Sequence, residues 1–277
     1  MKNFISTSWV WENIDTDKLV IVDCRGDLLN NEYGKNEYDS CHIKGAVFID
    51  IKKDLSSEQT EHGGRNPIPS ILEFKEKLES LGIGNDTCVI AYDEQRIACA
   101  ARLCWMLRYI GHNNNFILNG GINKWLIDGY PVTKALPQIK KNKLDITINN
   151  NIYADIKYVK ENMYKNGAYL IDSRTDIRYK GEIEPIDPVA GHIPGANNYY
   201  WKNNLKEDGT IKDLDKLKET FKTIKDYNDI MVYCGSGIDA AFNYMILDEF
   251  DIKSKLYVGS FSDWITYSEN KIIKGEE

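Results

Sequence analysis

Short apolar runs alternate with longer stretches of helical periodicity along this chain, and the alternation occurs twice. Residues 20–22, 89–92 and 116–118 read as strands in the first half, and residues 170–171, 230–233 and 255–258 in the second. Residues 71–81, 97–110, 215–224 and 238–250 read as helices. In the first of these, Leu72, Phe74, Leu78 and Leu81 approximate an i, i+3/i+4 apolar stripe. Buried strands alternating with helices predict an α/β fold, a mainly parallel central sheet flanked by helices. Ligands of such sheets bind beyond the carboxyl ends of the strands.

Four landmarks recur in the same order. Leu19-Val-Ile-Val-Asp23-Cys-Arg25 matches Tyr169-Leu-Ile-Asp172-Ser-Arg174, and His42-Ile-Lys-Gly-Ala46 matches His192-Ile-Pro-Gly-Ala196. Cys88-Val-Ile-Ala-Tyr-Asp93 matches Asp229-Ile-Met-Val-Tyr-Cys234. Leu118-Asn-Gly-Gly-Ile-Asn-Lys-Trp125 matches Tyr257-Val-Gly-Ser-Phe-Ser-Asp-Trp264. The spacing drifts from about 150 to about 140 residues, as loops change length after a duplication. The expectation is a domain over residues 1–135, an exposed linker over 136–152 with a short strand at 144–148, and a second domain over 153–277.

Composition narrows the class. Charged residues are 28% and hydrophobic residues 42% of 277, which suits a folded globular chain and not a disordered one. No apolar run approaches the ~18 residues of a membrane span. The start of the chain lacks the apolar core of a secretory signal. The net charge of −7 disfavours nucleic acid and anionic membrane as main partners. Six cysteines without a Cys-x-x-Cys pair, and four histidines that do not cluster with them, predict reduced thiols in a cytoplasm and no metal site.

The chemistry concentrates at one cysteine. Cys234 follows a strand and precedes Gly235-Ser236-Gly237-Ile238-Asp239, with a helix starting near Ile238. The two glycines allow a tight loop whose N–H groups turn inward, and a helix start adds partial positive charge. That setting is expected to lower the thiol pKa and to hold a second anionic atom beside the sulfur. Cys24, Cys88, Cys99 and Cys104 lie in apolar patterns and read as core residues. A cysteine phosphatase needs an arginine six residues after the cysteine; Ala240 stands there, and Asp239 would repel a phosphate.

The duplicated Asp-x-Arg and His-Ile-x-Gly-Ala motifs, the Gly-x-x-x-x-Trp element and the loop Cys-Gly-Ser-Gly-Ile-Asp-Ala together resemble the tandem rhodanese-domain sulfurtransferases, over essentially the whole chain. The resemblance implies two rhodanese-like domains, the first non-catalytic with Asp93 in place of the cysteine, the second catalytic. It implies transfer of sulfane sulfur through a Cys234 persulfide, with no cofactor. Gly235 and Ser236 resemble the 3-mercaptopyruvate branch; the thiosulfate branch has two cations there. Asp239 departs from that branch's usual threonine. Thiosulfate as donor by the same mechanism, or a non-enzymatic sulfur-relay module, are the alternatives. The sulfur acceptor would be a thiol, such as thioredoxin or glutathione, or cyanide. Arg178 matches the family's substrate-carboxylate arginine. A second arginine is missing from the stretch Glu182 to Gly191, and Arg96 or Lys180 could stand in for it. Ser236 is a proton-relay candidate, with His42 a possible member of the relay. Asp23, Arg25, Asp172, Arg174 and His192 read as structural, holding strand ends and turns.

Overall fold

A computed structural model describes residues 1–94 and 98–276. It divides into two compact units. The first comprises Met1–Ser57, Ile68–Asn149 and Leu205–Ile211; the second comprises Glu58–Pro67, Asn150–Asn204 and Lys212–Glu277.

The strands of the first unit are β1 (Phe4–Ile5), β2 (Leu19–Asp23), β3 (His42–Ile43), β4 (Val47–Phe48), β5 (Cys88–Tyr92), β6 (Asn115–Leu118) and β7 (Val132–Thr133). Its main sheet has the order β1-β6-β5-β2-β4, with every pairing parallel, while β3 and β7 form a small antiparallel pair. The second unit has β8 (Tyr153–Ala154), β9 (Ala168–Asp172), β10 (Ala196–Asn198), β11 (Asp229–Tyr233) and β12 (Ser254–Tyr257), ordered β10-β9-β11-β12-β8 and again all parallel. Read from the other edge, this is the order of the first sheet. The duplication seen in the motifs is therefore a duplication of topology.

All six expected strands exist; five are a residue or more longer than their apolar runs, and the sixth, Ser254–Tyr257, is shifted one residue toward the amino end. The helices follow too, with instructive differences. In the Ile71–Ser80 helix, Phe74 and Leu78 are buried but Leu72 faces solvent at 70% exposure, so the core face is narrower than the apolar stripe. The helix expected at 215–224 is split into Leu214–Thr220 and a short 3-10 turn, Ile224–Asp226. Helix Ala98–Tyr109 is buried along nearly its whole length, as is helix Asp239–Glu249, because each packs on the central strands of its own sheet.

The stretch expected to be an exposed linker is, through residue 149, part of the first unit. Asn142 N–H bonds to the Glu79 carbonyl, Leu144 N–H to the Glu79 carboxylate, Thr147 N–H to the Ile110 carbonyl and Asn149 N–H to the Tyr109 carbonyl. Leu144 is 1% exposed. Residues 144–148 pair with no strand; their N–H groups bond instead to the Glu79 and Asn85 side chains and to the Ile110 carbonyl. Among the described residues, no helix is long and apolar enough to cross a membrane.

Each Asp-x-Arg forms one buried fork at a strand's carboxyl end. Arg25 Nε lies 3.1 and 3.0 Å from the Asp23 oxygens and Nη2 2.7 Å from Oδ2; Arg174 repeats this on Asp172 at 3.1, 3.1 and 2.6 Å. Each Nη2 also donates to the carbonyl just before the histidine, Cys41 or Gly191. That histidine stacks on a tyrosine, His42 on Tyr38 and His192 on Tyr179. Each tyrosine hydroxyl donates to the motif's alanine carbonyl, Ala46 or Ala196. Removing one partner of a buried ion pair costs about 3–5 kcal/mol because the other charge is left unpaired. Arg174→Met is accordingly expected to lower the urea denaturation midpoint sharply, and far more than Lys157→Met, whose ion pair is exposed.

Candidate active site

Cys234 stands at the carboxyl end of β11, the middle strand of its sheet. Its sulfur accepts the Gly237 N–H at 3.1 Å, and the nearby N–H groups of Ser236 and Ala240 act on it electrostatically. The loop is held from behind. Phe261 N–H bonds to the Cys234 carbonyl at 3.0 Å, Ser262 N–H to the Gly235 carbonyl at 2.9 Å, and Cys234 N–H to Ser260 Oγ. These donors come from the start of the second Gly-x-x-x-x-Trp element.

Of the two loop glycines, the backbone requires Gly237, and Gly235 sits against two side chains. Gly237 has φ of +78°, and a Cβ there would lie 2.3 Å from the Val258 carbonyl oxygen. A Cβ on Gly235 would lie 2.8 Å from Arg65 Nη2 and 3.4 and 3.6 Å from Arg178 Nη2 and Nη1. Two guanidiniums therefore crowd the residue next to the cysteine. Ile238 is buried and Asp239 opens the Asp239–Glu249 helix. Ser236 is nearly buried, and among the described residues nothing bonds its hydroxyl.

Arg178 is where the sequence points to it, but it is not alone. Its Nε donates to both Glu184 oxygens, at 3.0 and 2.9 Å, and its Nη2 to Asp187 Oδ2 at 3.0 Å. A second guanidinium beside the loop is that of Arg65. Arg65 pairs with Asp187 Oδ1, and its backbone N–H bonds to Ser262 Oγ. Lys180 is spent on Asp176 and Glu276. Arg96 lies outside the described residues. Arg65 reaches the site because residues 58–67 belong to the second unit: Gly63 N–H bonds to Asp263, and His62 bonds to Thr266 and stacks on Tyr267. The only hint in the sequence was a lone arginine set in His62-Gly-Gly-Arg65-Asn-Pro67, two glycines before it and a proline after.

The thiol runs against expectation. Burial raises the Cys234 pKa and Asp239's charge raises it further; the three loop N–H groups lower it but do not prevail. The loop N–H groups favour a sulfur anion, while burial and the Asp239 carboxylate disfavour it. His42 is fully buried in the first unit, and its two ring nitrogens lie 2.8 and 3.1 Å from the Tyr38 and Ala135 carbonyl oxygens. That geometry is a structural one, with no nitrogen left for a relay. In the first unit, the place of the sulfur is taken by a carboxylate: Asp93 Oδ2 accepts the Cys99 and Ala100 N–H groups at 2.9 and 3.2 Å. Its carbonyl accepts Ile122 N–H, as Cys234's accepts Phe261's. Cys24 and Cys104 are buried with pKa values pushed up by burial, in keeping with a core role. No group of metal-ligating side chains occurs among the described residues.

Two parallel sheets of one topology, with a cysteine cradled by amides at the end of the middle strand of the second, define a tandem rhodanese. The rhodanese-like domain family matches residues 6–128 and 155–267. A probable 3-mercaptopyruvate sulfurtransferase of Pseudomonas aeruginosa is 33% identical over 93% of this chain and 93% of its own length. The thiosulfate sulfurtransferase of Rattus norvegicus is 30% identical, over 98% and 95%. The solved 3-mercaptopyruvate sulfurtransferase of Escherichia coli superposes with a TM-score of 0.81 at 31% identity, covering 95% of this chain and all of that one. The chain belongs to the tandem rhodanese-domain sulfurtransferases and is a sulfurtransferase enzyme.

Neutralising Asp239 removes a charge that opposes the thiolate. Asp239→Asn is therefore expected to lower the Cys234 pKa and to speed iodoacetamide alkylation severalfold at neutral pH. Alkylation rate against pH, with Cys234→Ser as the blank, measures it.

Proposed function

We propose that the enzyme moves sulfur from 3-mercaptopyruvate to a thiol or cyanide through a Cys234 persulfide. The observation that carries this reading is the pair of guanidinium edges beside the cradled sulfur. Arg178 Nη1 and Arg65 Nη2 have no partner among the described residues and both approach Gly235. Two N–H donors from two guanidiniums suit a planar carboxylate. With the donor's carboxylate held there, its sulfur sits within reach of Cys234.

The first half-reaction then runs as follows. Cys234 attacks the donor sulfur as the thiolate, its proton having gone to solvent. The donor C–S bond breaks with its electron pair on carbon, the donor's own S–H proton passes to that carbon, and pyruvate leaves with the outer sulfur as the Cys234 persulfide anion. The outer sulfur remains on Cys234, in a field of loop N–H groups that act as an oxyanion hole does. Ser236, buried next to Gly235 with its hydroxyl unbonded among the described residues, is our candidate to pass a proton. In the second half-reaction the acceptor attacks the outer sulfur and Cys234 leaves, giving ping-pong kinetics. The acceptor is a small thiol, a dithiol protein such as thioredoxin, or cyanide.

Intact mass after mercaptopyruvate is expected to show a gain of one sulfur, reversed by dithiothreitol and absent from Cys234→Ser. No gain with mercaptopyruvate, beside a gain with thiosulfate, overturns the donor assignment. The raised thiol pKa sets the pH dependence: the thiolate fraction grows as pH rises, so persulfide formation should keep accelerating from pH 7 to 9. A pre-steady-state rate flat over that range would oppose it. Arg65→Lys keeps the charge but loses the fork. It is expected to raise KM for mercaptopyruvate about tenfold, about 1.4 kcal/mol, with a smaller change in kcat.

A further inference from the structure

The turn that holds the two arginines also discharges them. Ile186 and Asp187 N–H groups both donate to Glu184 Oε1, at 3.0 and 3.1 Å, so the two carboxylates are built into one short turn. Their side chains are each 2% exposed, whereas Arg178 and Arg65 are 13% and 23% exposed. The carboxylates thus lie behind the guanidiniums. Glu184 is shared by Arg178 and Arg174. Asp187 gives one oxygen to each of the two arginines that crowd Gly235. Arg174 is matched by Asp172, and Arg178 and Arg65 by Glu184 and Asp187. The rim facing the sulfur offers directed N–H donors without surplus positive charge, and Asp239 adds a negative one nearby.

We propose that Asp187 is a specificity-determining residue: by bridging Arg65 and Arg178 it removes the surplus charge a dianionic donor needs and leaves a site fitted to a monoanionic carboxylate donor. The inference rests on the donor reading above. Directed donors can hold a flat monoanion through geometry alone. A dianion such as thiosulfate gains mainly from net charge, and each extra unit of charge strengthens its attraction relative to a monoanion. Removing the Asp187 charge should therefore favour thiosulfate over pyruvate and mercaptopyruvate.

The test is binding, so that it does not depend on turnover. Calorimetry on Cys234→Ser and on Cys234→Ser with Asp187→Asn gives dissociation constants for thiosulfate and for pyruvate. The asparagine is expected to tighten thiosulfate about tenfold while pyruvate changes less than about threefold. Asp187→Glu, which restores the charge, should return the ratio toward the parent value. With Cys234 present, Asp187→Asn should shift the kcat/KM ratio of the two donors the same way, through KM. An unchanged ratio, equal weakening of both ligands, or no measurable thiosulfate binding to either variant overturns the inference. If the unaltered enzyme turns over neither donor while the binding ratio shifts, the donor reading fails and the assignment of Asp187 stands. If it turns over mercaptopyruvate and the ratio stays put, the reverse holds.

Discussion

The guanidinium of Arg174 is the hub of the second unit. It forks onto Asp172 at the end of β9, donates to the Gly191 carbonyl, reaches Glu184, and lies 4.0 Å from the Phe261 ring centroid. Phe261 is the residue whose N–H fixes the Cys234 carbonyl. Glu184 is the residue that aims Arg178. One buried cation thus touches both the residue that anchors the cysteine loop and the carboxylate that holds Arg178. A buried charge is costly unless paired and bonded, and here that requirement ties four separate stretches of chain to one point.

The two units show what such a frame does and does not decide. Both have the fork, the stacked histidine and tyrosine, the same strand order and the same anchoring of the carbonyl at the end of the middle strand. In one, that residue is an aspartate whose own carboxylate accepts the amides at the head of the next helix. In the other it is a cysteine whose sulfur sits in a glycine loop. The first cradle is filled by a carboxylate oxygen and the second by a sulfur. The frame supplies position, and a single side chain decides whether there is chemistry.

Much of this was legible in the residues. The inner strands were readable because both faces are buried and the apolar runs are continuous, and the cysteine because a Gly-x-Gly loop after a strand has few bland explanations. The two- and three-residue strands β1, β4, β8 and β10 carry no pattern long enough to detect; pairing with a neighbour defines them. The thiol's upward shift was hidden because loop amides act locally, whereas burial is a property of the whole fold. Arg65 was missed for a similar reason. Its partners Asp187, Gly235 and Ser262 are more than a hundred residues away in the chain, and no local periodicity encodes such a meeting. His42 and Arg178 show the complementary cases, a motif residue consumed by packing and one that does face the site.

Exchange of short segments between the compact units changes what the duplication means. Residues 58–67 come from the first repeat yet count with the second unit, and residues 205–211 do the opposite. A fragment beginning at residue 150 would contain the cysteine, its loop and Arg178, and would lack the arginine that Asp187 bridges. A cut at the apparent joint between the repeats therefore does not coincide with the boundary between the compact units.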